Sequence, residues 1–267
     1  MCLLIMFSKG NPYWLAVLGL VVVFWPCASS TSTIRLKCDL SIKRIAIDPG
    51  FGGKDFGAPG YIEGVYSKNI NLAITKKLAK KVRDKLNVEV IMTRESDEFI
   101  PLEERVAIAN LKKVPLFISI HCNAYRDQRV YGIETYYLNF AADEEASKVQ
   151  VLNDNSSKER MSDLEKILSD LMPNEKIDES RRLADHVQKS LYEHMNKKYS
   201  HIKDRGVKQA PFYVLIGTQM PSILIATSFI SNPRECKRSI SDTYQDDFAE
   251  SIIRGIQDYA ALPARNS

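Results

Sequence analysis

The apolar positions of the chain change period several times, and each change marks an element. Arg44-Ile45-Ala46-Ile47-Asp48 is a short apolar run closed by Pro49-Gly50, the mark of a buried strand ending in a turn. Ile70, Ile74, Leu78, Val82 and Leu86 then recur every fourth residue, which predicts a long amphipathic helix. Lys76, Lys77, Lys80, Lys81 and Lys85 fall between them and read as its solvated face. Val88 to Thr93 is a second strand. Leu102, Val106 and Ala109 mark a second helix, opened by Pro101. Leu116 to His121 is a third strand, apolar enough to be covered on both faces. Gly132 to Leu138, Phe212 to Ile216 and Ser222 to Thr227 read as further strands. Leu183, Val187, Leu191 and Met195 share one helical face, and so do Phe248, Ile252 and Ile256 within a closing helix from Tyr244 to Ala261. Strands alternating with helices predict an α/β domain with a mostly parallel sheet flanked by helices.

One segment interrupts this rhythm. From about 141 to 182 the chain is polar and charged, with Asp143-Glu144-Glu145 and Asn153-Asp154-Asn155. Inside it, Leu164, Ile167, Leu168 and Leu171 have helical spacing and Pro173 ends the run, so a small amphipathic helix is inserted between elements of the sheet. It reads as a surface excursion or as a lid or docking element.

The start of the chain is different in kind. Lys9 is the only charge before Arg35, and Trp14 to Trp25 is unbroken apolar sequence followed by Pro26-Cys27-Ala28-Ser29-Ser30. A basic start, a short apolar core and small residues make residues 1–30 a secretory signal, cut near Ser29 or Ser30. The run is short of the roughly 20 residues of a spanning helix, and a retained anchor is the alternative. Residues 31–43 form a short linker, 44–262 the domain, and 263–267 a tail. Export to the periplasm or cell envelope follows, and Cys38, Cys122 and Cys236 then leave at least one unpaired thiol. Cys122, in an apolar strand, reads as a buried core residue.

Composition narrows the classes. The 267 residues are 45% hydrophobic and 26% charged, which excludes wholesale disorder. A net charge of +4 from 37 basic and 33 acidic residues gives no sign of a nucleic-acid partner. No repeat of solenoid or propeller period is present.

Several motifs, in order, resemble one family. They are Ile47-Asp48-Pro49-Gly50-Phe51-Gly52-Gly53-Lys54-Asp55, Pro101-Leu102-Glu103-Glu104-Arg105, Phe117 to Ala124, Gly132 to Leu138, Lys208 to Leu215, and Phe229-Ile230-Ser231-Asn232-Pro233. Over about 44–261 they are similar to the zinc-dependent N-acetylmuramoyl-L-alanine amidases, cell-wall enzymes with an α/β catalytic domain. The resemblance implies peptidoglycan as the partner. The insert resembles the regulatory region of division-associated periplasmic members, in which a helix occludes the metal until a LytM-domain activator displaces it.

The departures fall on the chemistry that the resemblance implies. The family's first zinc-binding histidine corresponds to Phe51, its glutamate ligand to Ser67, and its catalytic glutamate to Ala226; its second histidine ligand is kept as His121. A catalytic zinc needs three protein donors and an open position. If a complete four-ligand site is worth roughly 10–16 kcal/mol, one ligand supplies about 3–4, which is millimolar affinity. Loss of the carboxylate at 226 removes a proton shuttle worth roughly 10²–10⁴ in rate. The expectation is therefore an amidase-like domain with zinc absent or weakly held and no catalytic residue. The alternatives are an active zinc amidase with a rearranged site, for which Glu63, Asp48 and Asp55 are the nearby carboxylates, and a structural envelope domain with no ligand; Cys122 points to the face opposite His121, and His186, His194 and His201 read as surface histidines.

Overall fold

The computed structural model describes residues 42–139 and 173–261. The predicted signal, Cys38, most of the linker, most of the insert with its Leu164–Leu171 helix, and the tail lie outside the described residues. Six strands form one sheet in the order β2-β1-β3-β6-β4-β5. They are β1 (Arg44–Pro49), β2 (Glu89–Met92), β3 (Phe117–Asn123), β4 (Ile133–Tyr137), β5 (Asp204–Gln209) and β6 (Ser222–Phe229). All pairings are parallel except β4 with β6. The helices are α1 (Ser67–Lys81), α2 (Leu102–Leu111), α3 (Asn174–Lys198), α4 (Tyr213–Ile216), α5 (Pro233–Ser239) and α6 (Asp242–Ala260). Among the described residues no helix is long and apolar enough to cross a membrane.

Alternation along the strands builds two cores. Ile45, Ile47, Ile118, Ile120, Ile223 and Ile225 face α1, α3 and α6, where they meet Ile74, Leu78, Leu183, Leu191, Phe248 and Ile252. Ala46, Phe117, Leu224 and Ala226 point the other way, toward Ala109 of α2 and Phe212, Val214 and Leu215 around α4. Every residue of β3 and β6 is buried, as a doubly covered sheet requires.

Four local readings change. Phe212 to Ile216 is not a strand but leads into the single turn α4, closed by Leu215 N–H and Ile216 N–H donating to the Phe212 carbonyl. Five apolar residues in a row carry no period that separates a strand from a helical turn. Conversely, Asp204–Gln209 is an edge strand whose polar sequence hides it; an extra residue near Gly206 (φ 78°) bulges it against β4. The helix expected around Leu183 begins earlier, at Asn174, and runs 25 residues. The fourth change concerns the lysines of α1. Lys77, Lys81 and Lys85 are not merely solvated: they pair with Asp242, Asp246 and Glu250 of α6 at 2.5, 2.9 and 2.6 Å. Lys85 belongs to a π turn (Val82–Leu86) that prolongs α1 and stops at left-handed Asn87. Cys122 is buried, as expected, and burial pushes its thiol up to about 12.

Beyond the end of β6, Glu235 ties two strands together. Its carboxylate accepts from Phe229 N–H (2.6 Å), Gly132 N–H (3.1 Å) and Arg238 (3.1 Å). Burial nevertheless raises its pKa to about 7, against 4.5 for an ordinary glutamate. The folded chain then holds a proton that the unfolded chain has released, so this group stabilises below about pH 4.5 and loses that contribution as pH rises through about 7. Urea unfolding at pH 5 and pH 7.5 is expected to show this fall, by no more than about 3 kcal/mol. Glu235→Gln should flatten the profile over that window; an unchanged slope in that variant would place the pH dependence elsewhere.

Candidate functional site

The turn after β1 carries the site, and two buried arginines shape it. Arg94 and Arg105 are each 2% exposed. Arg94 donates to the carbonyls of Pro49 (3.0 Å), Gly50 (3.0 Å), Lys68 (3.0 Å) and Ser96 (2.9 Å). Arg105 donates to the carbonyls of Pro49, Phe51 and Ile100, and to Asp48 Oδ1, each at 2.8 Å. Desolvation and the facing guanidinium bring Arg94 down to about 10. Asp48 stays below the ordinary carboxylate range although burial opposes it, because Arg105, Ser119 and Thr93 all stabilise the anion.

These bonds hold Phe51 at φ 63°, a left-handed conformation that a bulky side chain rarely adopts. Its ring meets the His121 imidazole edge to face, with centroids 5.1 Å apart. The imidazole in turn lies flat against Gly50, where a Cβ would be 2.4 Å from the ring, so position 50 admits no side chain. Ser67 opens α1, is fully buried, and its Oγ accepts from Ala58 N–H at 2.9 Å. A Cβ on Gly57 would strike both Ser67 Oγ (2.2 Å) and the Phe51 ring (2.4 Å), so the same glycine packs against both residues. Ala226 stands beside His121 in the β3–β6 register, at the carboxyl end of β3. Phe51, Ser67, His121 and Ala226 thus meet where open α/β sheets place their sites.

The donors present do not suit zinc. Phe51 has no lone pair, Ser67 is engaged with a backbone amide, and Ala226 offers a methyl group. His121 Nε2 lies 3.1 Å from Ser119 Oγ, and Nδ1 is buried with no partner among the described residues. Burial, and the two guanidinium groups, lower the His121 pKa to about 4, with Asp48 opposing. No group of three or more His, Cys, Asp or Glu suited to a metal occurs among the described residues. Glu63 and His201 are exposed, Asp55 accepts from Gly57 N–H within its own loop, and Asp48 is committed to Arg105. His186 and His194 lie on α3, and Cys122 faces the opposite core.

Sequence reasoning passed over three parts of this region, the carbonyl-binding Arg94 among them. Ser119 lies two residues before His121 on a strand, a spacing that puts both on one face. Glu134 is the third. It pairs with Ala226 in register, is fully buried, and accepts from Asn123 and Lys208 (3.0 Å each), from Arg205 and from the Tyr136 hydroxyl. A lone glutamate inside the apolar strand Ile-Glu-Thr-Tyr-Tyr was the readable signal.

Comparison with known proteins agrees with this geometry. The family model for N-acetylmuramoyl-L-alanine amidase matches residues 45–258. The uncharacterized protein YqiI of Bacillus subtilis is 32% identical over 92% of this chain and 95% of its own length. The N-acetylmuramoyl-L-alanine amidase AmiC of Escherichia coli is 33% identical over 81% of this chain, which spans about half (52%) of that longer protein. Among solved structures, the CwlD amidase of Clostridioides difficile, determined in complex with the GerS lipoprotein, superposes with a TM-score of 0.63 at 28% identity, covering 81% of this chain and 98% of that one. With its mixed sheet, its β1 turn and its ordered motifs all of this kind, the chain belongs to the N-acetylmuramoyl-L-alanine amidase family.

Proposed function

We propose that this chain is a non-catalytic amidase-family protein of the cell envelope, exported by residues 1–30, that binds peptidoglycan without cleaving it. The observation that carries this reading is the Phe51 ring seated edge-on against His121, at the position that the motif resemblance matches to a metal donor. One imidazole cannot retain zinc, and without zinc neither water activation nor carbonyl polarisation is available to cleave the muramoyl-L-alanine amide bond. The methyl group of Ala226 leaves no carboxylate there to carry a proton. Likeness of the insert to the regulatory region of division-associated amidases supports a LytM-domain activator as protein partner. The solved complex of CwlD with a lipoprotein supports protein binding by a domain of this shape.

The test is zinc stoichiometry measured together with murein release and co-sedimentation with insoluble peptidoglycan. The mature chain is expected to hold well under one zinc, release nothing, and pellet with peptidoglycan. Near-stoichiometric zinc that disappears in His121→Ala would establish the rearranged, active site instead. Failure to pellet would leave a structural envelope domain.

A further inference from the structure

The hydrogen bonds around His121 allow one proton arrangement. Asp48 Oδ1 receives Arg105 Nη1 (2.8 Å) and Thr93 Oγ1 (2.5 Å), and Oδ2 receives Ser119 Oγ (2.6 Å). A carboxylate paired with a guanidinium is an acceptor only. The single hydroxyl proton of Ser119 is therefore committed to Asp48. Ser119 Oγ has nothing left to donate, so across the 3.1 Å contact His121 Nε2 must be the donor. A proton on Nδ1 as well would be buried with no acceptor among the described residues.

We propose that Ser119, backed by Asp48, is a positioning residue that fixes His121 as the Nε2-protonated neutral tautomer and keeps a bare lone pair on Nδ1. The register supports this: Asp48 and Ser119 are direct neighbours across β1 and β3, and His121 lies on the same face two residues on. Outer partners of this kind orient imidazoles elsewhere by accepting from one ring nitrogen, which leaves the other as the electron-pair donor. The assignment is independent of the function proposed above.

Long-range proton–nitrogen NMR of the full chain with labelled histidine reads this directly, because only four histidines contribute. His121→Asn assigns the signal. The expected spectrum shows a protonated Nε2 and a pyridine-like Nδ1. Ser119→Ala is expected to shift the tautomer ratio by roughly fivefold to tenfold, the worth of one lost hydrogen bond, and Ser119→Thr to restore it. Asp48→Asn is expected to reverse the chain of donors. Arg105 and Thr93 hold the amide oxygen, the amide nitrogen donates to Ser119, and the serine proton turns to Nε2, so His121 carries its proton on Nδ1. A wild-type His121 protonated on Nδ1 would overturn the proposal whatever the variants do. So would a folded Ser119→Ala or Asp48→Asn protein with an unchanged tautomer.

Discussion

Zinc binding is expected to return when Phe51→His, Ser67→Glu and Ala226→Glu are made together. The first two changes raise the donor count from one to three. At about 3–4 kcal/mol per ligand, each missing donor weakens the site by roughly two to three orders of magnitude, so the single reversions should bind little metal. The packing adds a coupling that the donor count alone does not. Ser67 Oγ and the Phe51 ring crowd the same glycine, Gly57. Ser67→Glu alone forces a larger, charged side chain against the phenyl ring and gives up the bond from Ala58, and it should destabilise the fold. With Phe51→His beside it, that cost should fall, giving a positive interaction in a double-mutant cycle. The third change supplies the carboxylate for proton transfer. Calorimetric titration with zinc and urea unfolding of the seven variants would measure both effects. A well-folded triple variant that binds no zinc would mean that the outer partners no longer orient the donors.

Arg105→Met is expected to destabilise the domain by about 3–5 kcal/mol, because it strands the buried Asp48 carboxylate. It also frees the Phe51 carbonyl and leaves that of Pro49 to Arg94 alone. Arg105→Lys should recover little: one ammonium cannot span acceptors that a planar fork reaches together. Asp48→Asn in the Arg105→Met background should cost much less than it does alone, since the charge to be compensated has gone. Chemical denaturation of the four proteins tests this. A loss below about 1 kcal/mol for Arg105→Met would show that water or another donor reaches Asp48.

The strands and helices that carry the sheet were legible because their apolar residues keep one period over enough length. β3 and β6, buried on both faces, and α1 and α6, with a clean stripe, are examples. What escaped was short or polar. α4 is a single turn fixed by carbonyl bonds that leave no period. β5 is a half-buried edge strand whose Arg205 and Lys208 reach back to Glu134 instead of showing an apolar face. The site positions were assigned by motif order, which requires no knowledge of distance. Their support was not: Ser119 and Glu134 act through contacts between strands, whose register is invisible in one sequence, and Arg94 bonds carbonyls of the β1 turn and of α1. The partners of Lys77, Lys81 and Lys85 were hidden for the same reason: the acids they meet lie 165 residues away.

That distance has a consequence for how the chain matures. The ladder from Lys77, Lys81 and Lys85 to Asp242, Asp246 and Glu250 rides on an apolar seam, with Ile74 and Leu78 of α1 and Phe248 and Ile252 of α6 in one core. A chain emerging from its amino end makes β1, α1 and β3 long before α6 exists. Until the last helix arrives, the stripes of α1 and α3 are covered only on their sheet side, and contacts of such sequence separation form slowly. The nascent domain therefore passes through a stage with a sheet laid down and one oily flank open, the kind of surface on which chaperones act. Closure by α6 buries that flank in one step and draws the two ranks of opposite charge into register.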